Sequence, residues 1–143
     1  MATVIDFSAA LPSVESLKKS GHEGVMLYCS PARQEWMRAK QPPKSYVDSL
    51  AKNGIKFAFV WQFRGGGSNP SNADTARGKA GGIEDAKLVS RYLHSIGREN
   101  LPVYFAVDFD VSLDYWNSTV SQYFRGAGEV LGRHRVGIYG HSR

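Results

Sequence analysis

The chain has 143 residues, 42% of them hydrophobic and 12% aromatic, with 18 Lys and Arg against 13 Asp and Glu for a formal charge of +5. That length suits one compact domain, residues 1–143, rather than two, and no apolar run approaches the roughly 18 residues of a membrane span. The single cysteine, Cys29, excludes an internal disulfide framework or a cysteine-based metal site, and the scattered basic residues lack any recognition motif, which argues against a nucleic-acid partner.

Five segments rich in β-branched and aromatic residues, Thr3–Ser8, Gly24–Ser30, Lys56–Phe63, Pro102–Asp110 and Arg135–His141, alternate with helical patterns. Such alternation predicts an α/β fold with a parallel sheet and crossover helices. Short helices are expected near Ser13–Ser20 and Ser45–Asn53, each followed by a glycine that can close it, Gly21 and Gly54. In the third helix Ile83, Ala86, Val89, Tyr92, Leu93 and Ile96 form one apolar stripe, with Glu84 and Asp85 in the first turn and Gly97 at the end. Trp116, Val120, Tyr123, Phe124, Ala127 and Leu131 make a similar stripe in the fourth, before Gly132. The long segments 31–44 and 64–82 each follow a strand and precede a helix, which puts both on the face holding the strands' C-terminal ends. The glycines within them, Gly65-Gly66-Gly67 and Gly78-Lys79-Ala80-Gly81-Gly82, lack the spacing of a phosphate-binding loop and read as mobile loop.

Alternation along the fourth strand turns Val103, Phe105, Val107 and Phe109 toward the helices, and Tyr104, Ala106, Asp108 and Asp110 toward the opposite face. Two carboxylates then share one side of a strand end, where like charges favour one protonated and one ionised acid. Asp6 ends the first strand and converges on the same rim. Acids at this face of a parallel barrel tend to be catalytic or binding groups, whereas Asp6 could also cap a loop and Asp110 a helix entry. Around them Tyr28, Trp61, Gln62, Tyr139 and His141 end their strands and suit a sugar, since aromatic faces stack on pyranose C–H surfaces and amides and phenols fix hydroxyls. Alternation alone does not decide which of Trp61 and Gln62 points inward. No metal or other cofactor is expected from these spacings.

The segments Val4-Ile5-Asp6-Phe7-Ser8, Tyr104-Phe105-Ala106-Val107-Asp108-Phe109-Asp110, Tyr123-Phe124-Arg125-Gly126, Leu131-Gly132 and Arg135-Val136-Gly137-Ile138-Tyr139-Gly140 resemble the glycoside-hydrolase-like TIM-barrel domain of unknown function found in actinobacterial wall-associated proteins and some phage lysins. More distantly, Asp6-x-Ser8 and Asp108-x-Asp110 look like the strand-one and strand-four acids of family 25 lysozymes, which cleave peptidoglycan. Those lysozymes carry Asp-x-Glu on strand four, so the presumed acid here, Asp110, is one methylene shorter. The resemblance implies a parallel (β/α) barrel of TIM type, of which the chain holds the first five strand–helix units and is truncated after strand five.

It further implies a cell-wall glycan hydrolase of peptidoglycan type. In that reading Asp108 and Asp110 are the acid and the nucleophile or base, Asp6 is an electrostatic support, and Trp61 and Tyr139 are substrate contacts. A catalytically inactive carbohydrate-binding or wall-anchoring module is the alternative, and a phage or surface assembly subunit a second one. Cell-wall polysaccharide is the expected partner. The N-terminus lacks the charged and apolar regions of a signal peptide, so action at the bacterial wall would need release by a phage or export in a longer form; otherwise the protein is cytoplasmic. Unpaired edges on strands one and five predict a longer parent chain, a completing chain, or self-association.

Overall fold

In the computed structural model, which describes residues 3–140, five strands form one parallel sheet in the order β1-β2-β3-β4-β5. They are β1 (Val4–Asp6), β2 (Gly24–Tyr28), β3 (Lys56–Trp61), β4 (Val103–Val107) and β5 (Val136–Gly140). All five expected strands are present; β1 to β4 end before their apolar runs do, where the chain turns into the following loop, and β5 runs to the last described residue. The helices are α1 (Val14–Lys19), α2 (Lys44–Lys52), α3 (Gly78–Ser95), α4 (Leu113–Tyr115) and α5 (Ser121–Leu131). A π-helical stretch, Trp116–Val120, joins α4 to α5.

Capping follows the local chemistry. The Ser13 hydroxyl accepts the Ser16 amide at 3.1 Å to start α1, and Ser112 accepts the Tyr115 amide at 3.2 Å to start α4, the role sequence had allowed to Asp110. Gly97 and Gly132 end α3 and α5 at φ +69° and +89°, a conformation that costs glycine little.

Pairing register sets the two faces. Asp6 lies opposite Met26, Met26 opposite Ala58, Val60 opposite Tyr104, and Ala106 opposite Tyr139, so these positions share one face with Tyr28, Gln62 and Asp108. The other face carries Val25, Leu27, Cys29, Phe59, Trp61, Val103 and Phe105, which pack with Ala86, Val89 and Leu93 of α3 and Tyr123, Ala127 and Leu131 of α5 into the main core. The inward and outward assignments therefore hold within β4, Val103–Val107, and do not extend to Asp110, which lies beyond the strand.

Segment 78–82, expected as loop, is the first turn of α3. A Cβ on Gly82 would meet the Tyr123 carbonyl oxygen at 1.9 Å, and one on Gly126 would meet the Lys79 carbonyl oxygen at 2.1 Å. The glycines let the α3 and α5 backbones touch, a tertiary contact that outweighs glycine's poor helix propensity.

The sheet is an open, curved arc. The Tyr139 hydroxyl near the end of β5 donates to the Asp6 carboxylate at the end of β1, so the two edge strands meet across the concave face. This agrees with part of a TIM-like barrel, left unclosed among the described residues.

Candidate active site

Five of the eight positions named from sequence share the concave face at the strands' C-terminal ends. Asp6 ends β1, Tyr28 ends β2, Gln62 follows β3, Asp108 follows β4 and Tyr139 lies in β5. The Gln62 amide Nε2 donates to Asp108 Oδ2 at 3.0 Å, so one acid is held by an amide and the other, Asp6, by a phenol. Burial pushes the Tyr28 hydroxyl up to about 12, with the negative charges of Asp6 and then Asp108 adding to it. Tyr139 is raised as well, chiefly by its hydrogen bond to Asp6, then by burial and by the charges of Asp6, Tyr28 and Asp108. Both carboxylates thus act on both phenols, and at neutral pH each phenol keeps its proton as a donor.

The remaining three positions fall differently. Trp61 is only 1% exposed and lies on the helix side of β3, so it is a core residue rather than a stacking surface; the inward residue of that pair is Gln62. Asp110 is exposed in the loop after β4, which ends at Val107, three residues earlier than the expected strand end. Between the two acids Phe109 is buried against Ala73, Val107 and Val120, and its ring sits where a Cβ on Gly66 would come within 2.8 Å. That contact lays the β3–α3 loop against the end of β4. His141 lies outside the described residues.

A cleft of about 220 Å³ opens beside Tyr28 and Gln62, lined also by Ser8, Arg33, Trp36, Met37, Lys40, Phe63 and Gly65. Sequence reasoning marked the long loop after β2 but none of its side chains, and Trp36, 53% exposed, is the aromatic surface that Trp61 does not supply. The loop is pinned at several points. Arg38 and Ala39 amides donate to the Ala9 and Ser8 carbonyls at 3.2 and 3.1 Å. Gln41, at φ +51°, donates its amide to Tyr28 O at 2.8 Å and its side chain to Cys29 O at 3.1 Å. A non-glycine residue in the left-handed region costs about 1–3 kcal/mol, held here by those two bonds to the end of β2.

Under the other loop, Asp74 Oδ2 accepts the Phe63 and Arg64 amides at 2.7 and 3.0 Å, and its burial raises the carboxyl above the usual range. Asp85, buried in α3, takes an ion pair from Arg77 and a 2.6 Å bond from the Tyr123 hydroxyl. These acids fix the loop from beneath and do not face the cleft.

Comparison with known proteins bears on the family and the fold. The sequence signature of the Rv2525c-like, glycoside hydrolase-like domain matches residues 15–143. Rv2525c of Mycobacterium tuberculosis, named as a candidate peptidoglycan hydrolase, is 27% identical over 147 aligned positions, covering all of this chain and 59% of that protein. The crystal structure of Rv2525c, a Tat-secreted protein solved in complex with HEPES, superposes with a TM-score of 0.85 at 24% identity, over 94% of this chain and 66% of that one. FadG of Bacillus subtilis is 27% identical over 87% of this chain and 22% of its own length. The chain thus spans less than two thirds of the first two relatives.

Proposed function

The chain belongs to the Rv2525c-like, glycoside hydrolase-like family, and from that premise we propose that it acts on a bacterial cell-wall glycan of peptidoglycan type. The observation that carries the reading is the convergence of Asp6 and Asp108 from different strands on one concave rim, with Tyr28, Gln62 and Tyr139 around them. Glycoside cleavage needs a proton donor for the departing oxygen and a carboxylate for the positive charge that grows on the sugar ring. Asp108 at the rim and Asp110 in the loop after β4 are the acid and the nucleophile or base, and Asp6 is the electrostatic support. The Gln62 amide orients Asp108, and the Tyr28 and Tyr139 phenols, kept protonated, supply donors to sugar oxygens and to the acids.

Its site of action is the wall, as suits a relative that is Tat-secreted. Purified peptidoglycan with the folded chain as enzyme is the test. Release of soluble fragments should occur, and Asp108→Asn should lower its rate at least about a hundredfold, the usual worth of a general acid or charge stabiliser. An unchanged rate in that variant removes Asp108 from the mechanism. The second reading, glycan binding without turnover, is favoured by Asp110 standing where the lysozymes' longer Glu stands, and binding without release of fragments would establish it.

A further inference from the structure

The cleft has a basic wall, and it lies beside the acidic rim rather than within it. Asp108 accepts from Gln62, which lines the cleft, and the charges of Asp6 and Asp108 act on Tyr28, which lines it too. On the basic side, Lys40 and Arg33 come from the loop between β2 and α2, and both line the 220 Å³ space beside Tyr28 and Gln62. Lys40 is half-buried and Arg33 exposed, and both are anchored. Lys40 Nζ donates to the Gln62 carbonyl at 2.7 Å and lies 3.4 Å from the Ser30 hydroxyl, while its ammonium sits 4.8 Å from the centre of the Tyr28 ring. Arg33 donates to the Phe63 carbonyl at 3.2 Å, with its guanidinium 5.8 Å from the centre of the Phe63 ring.

The two cations are thus anchored to consecutive carbonyls past the end of β3. Their anchors are neutral groups, so their remaining donors and positive charge are left for the cleft. The backbone beside Lys40 is fixed too, since Gln41 holds its left-handed conformation on the last carbonyls of β2. Burial lowers the affinity of Lys40 for its proton, the two cations oppose each other, and Asp74 offsets part of that cost. Paired cations held in place at a half-enclosed wall favour an anion, because a ligand charge there meets oriented donors with little further ordering.

We propose that Arg33 and Lys40 form an anion subsite that recognises a free carboxylate carried on the glycan, as on a muramic acid residue without its stem peptide. This rests on the reading of the concave face as a glycan site and adds the substrate class: an acidic, not a neutral, chain. The sugar ring would lie toward Tyr28 and Trp36, with its carboxylate on the Arg33–Lys40 wall. The neighbouring acids would repel a second negative group near the strand ends, which fixes the direction in which the ligand lies.

Binding by calorimetry tests this without requiring turnover, with N-acetylmuramic acid and its methyl ester as probes, which differ in charge at the carboxylate. The folded chain should bind the acid about tenfold or more tightly than the ester, as a charge-assisted hydrogen bond implies. In Lys40→Met the preference should fall to within about twofold, and Arg33→Gln should reduce it by a smaller factor; higher salt should weaken the acid and leave the ester unchanged. Should Lys40→Met fail to fold, Arg33, which is exposed, and the salt dependence decide. Equal binding of acid and ester overturns the subsite and leaves the glycan reading standing. Binding of neither overturns both, and full preference in the two variants assigns the charge recognition elsewhere.

Discussion

Replacing Gly82 by alanine tests the helix crossing that backs the sheet behind the site. The new Cβ would lie 1.9 Å from the Tyr123 carbonyl oxygen, where ordinary contact begins near 3.4 Å, so α3 and α5 must part by about 1.5 Å. The obstacle is backbone, which cannot swing aside as a side chain would. Separation loosens the packing of Ala86, Val89 and Leu93 on Tyr123, Ala127 and Leu131, and a gap of 0.5–1 Å alone forfeits about a quarter to a half of each contact. It also stretches the 2.6 Å bond from Tyr123 to the buried Asp85, leaving a charged group poorly paired. Overpacking of about 1–3 kcal/mol and a weakened buried bond of about 1–3 kcal/mol together give roughly 2–6 kcal/mol, a large part of the roughly 5–15 kcal/mol of a whole domain. A fall in Tm of roughly 5–20 °C is expected. Gly54→Ala is the control, since it has φ +72° and nothing within 4 Å, so it carries only the left-handed strain of about 1–2 kcal/mol. Urea unfolding followed by circular dichroism measures both. A Gly82→Ala protein no less stable than Gly54→Ala would refute the close crossing.

The buried Asp74 should make stability depend on pH in an unusual sense. Its carboxyl is raised in the folded state, so the native chain holds the proton more tightly than the unfolded one, and its contribution falls as pH rises from about 4 through the raised value. Asp74→Asn should remove that slope in the difference between the two proteins' unfolding curves, and an identical slope would show that Asp74 does not titrate in this range. The edges should promote association: Ile138 on β5 is 53% exposed in a trough of about 760 Å³ with Trp116, Phe124 and Val136, and the outer sides of β1 and β5 pair with no strand among the described residues. Sedimentation should show concentration-dependent self-association that Ile138→Glu weakens, and a monomer at high concentration would rule this contact out.

Period-two alternation made the strand faces legible, because one face of every strand is packed by helices and must be apolar. The concave cluster of Asp6, Tyr28, Gln62, Asp108 and Tyr139 follows from that alternation together with the parallel order of the strands. Where both members of a pair can be buried, as with Trp61 and Gln62, alternation carries no sign, and only the register with β4 settled it. Local propensity also misread the glycines at 78–82, since the signal for helix there is a contact with Gly126 more than forty residues away in the chain. Arg33, Trp36 and Lys40 sit in an irregular loop, where no period exists to assign a direction; the loop's length was the one signal that side chains there serve the site.

The bond between Tyr139 and Asp6 measures how far the sheet bends. In a flat sheet the first and fifth strands lie four steps apart, roughly 19 Å at the usual strand spacing, beyond the combined reach of a tyrosine and an aspartate side chain. In an eight-stranded barrel those two strands face one another across an interior just wide enough for side chains to fill. Five strands here therefore adopt barrel curvature before any closure. Two causes could hold that curve: the helices packed on the convex face, or the phenol–carboxylate bond itself. Tyr139→Phe separates them through Tyr28, whose hydroxyl reports on the convergence of Asp6 and Asp108. If the helices and register set the curve, Asp6 stays near, and Tyr28 should still ionise at about 12, since its own burial is the largest cause. If the bond sets it, the edge strands spread, water reaches the concave face, and Tyr28 should fall back toward its ordinary value of about 10. The large buried core between sheet, α3 and α5 favours the first outcome, because one exposed hydrogen bond is worth about 1 kcal/mol against many times that in apolar burial. Ultraviolet titration of Tyr139→Phe, with Tyr28→Phe in the same background to isolate the signal, reads the result, and a return of Tyr28 to about 10 would refute helix-set curvature.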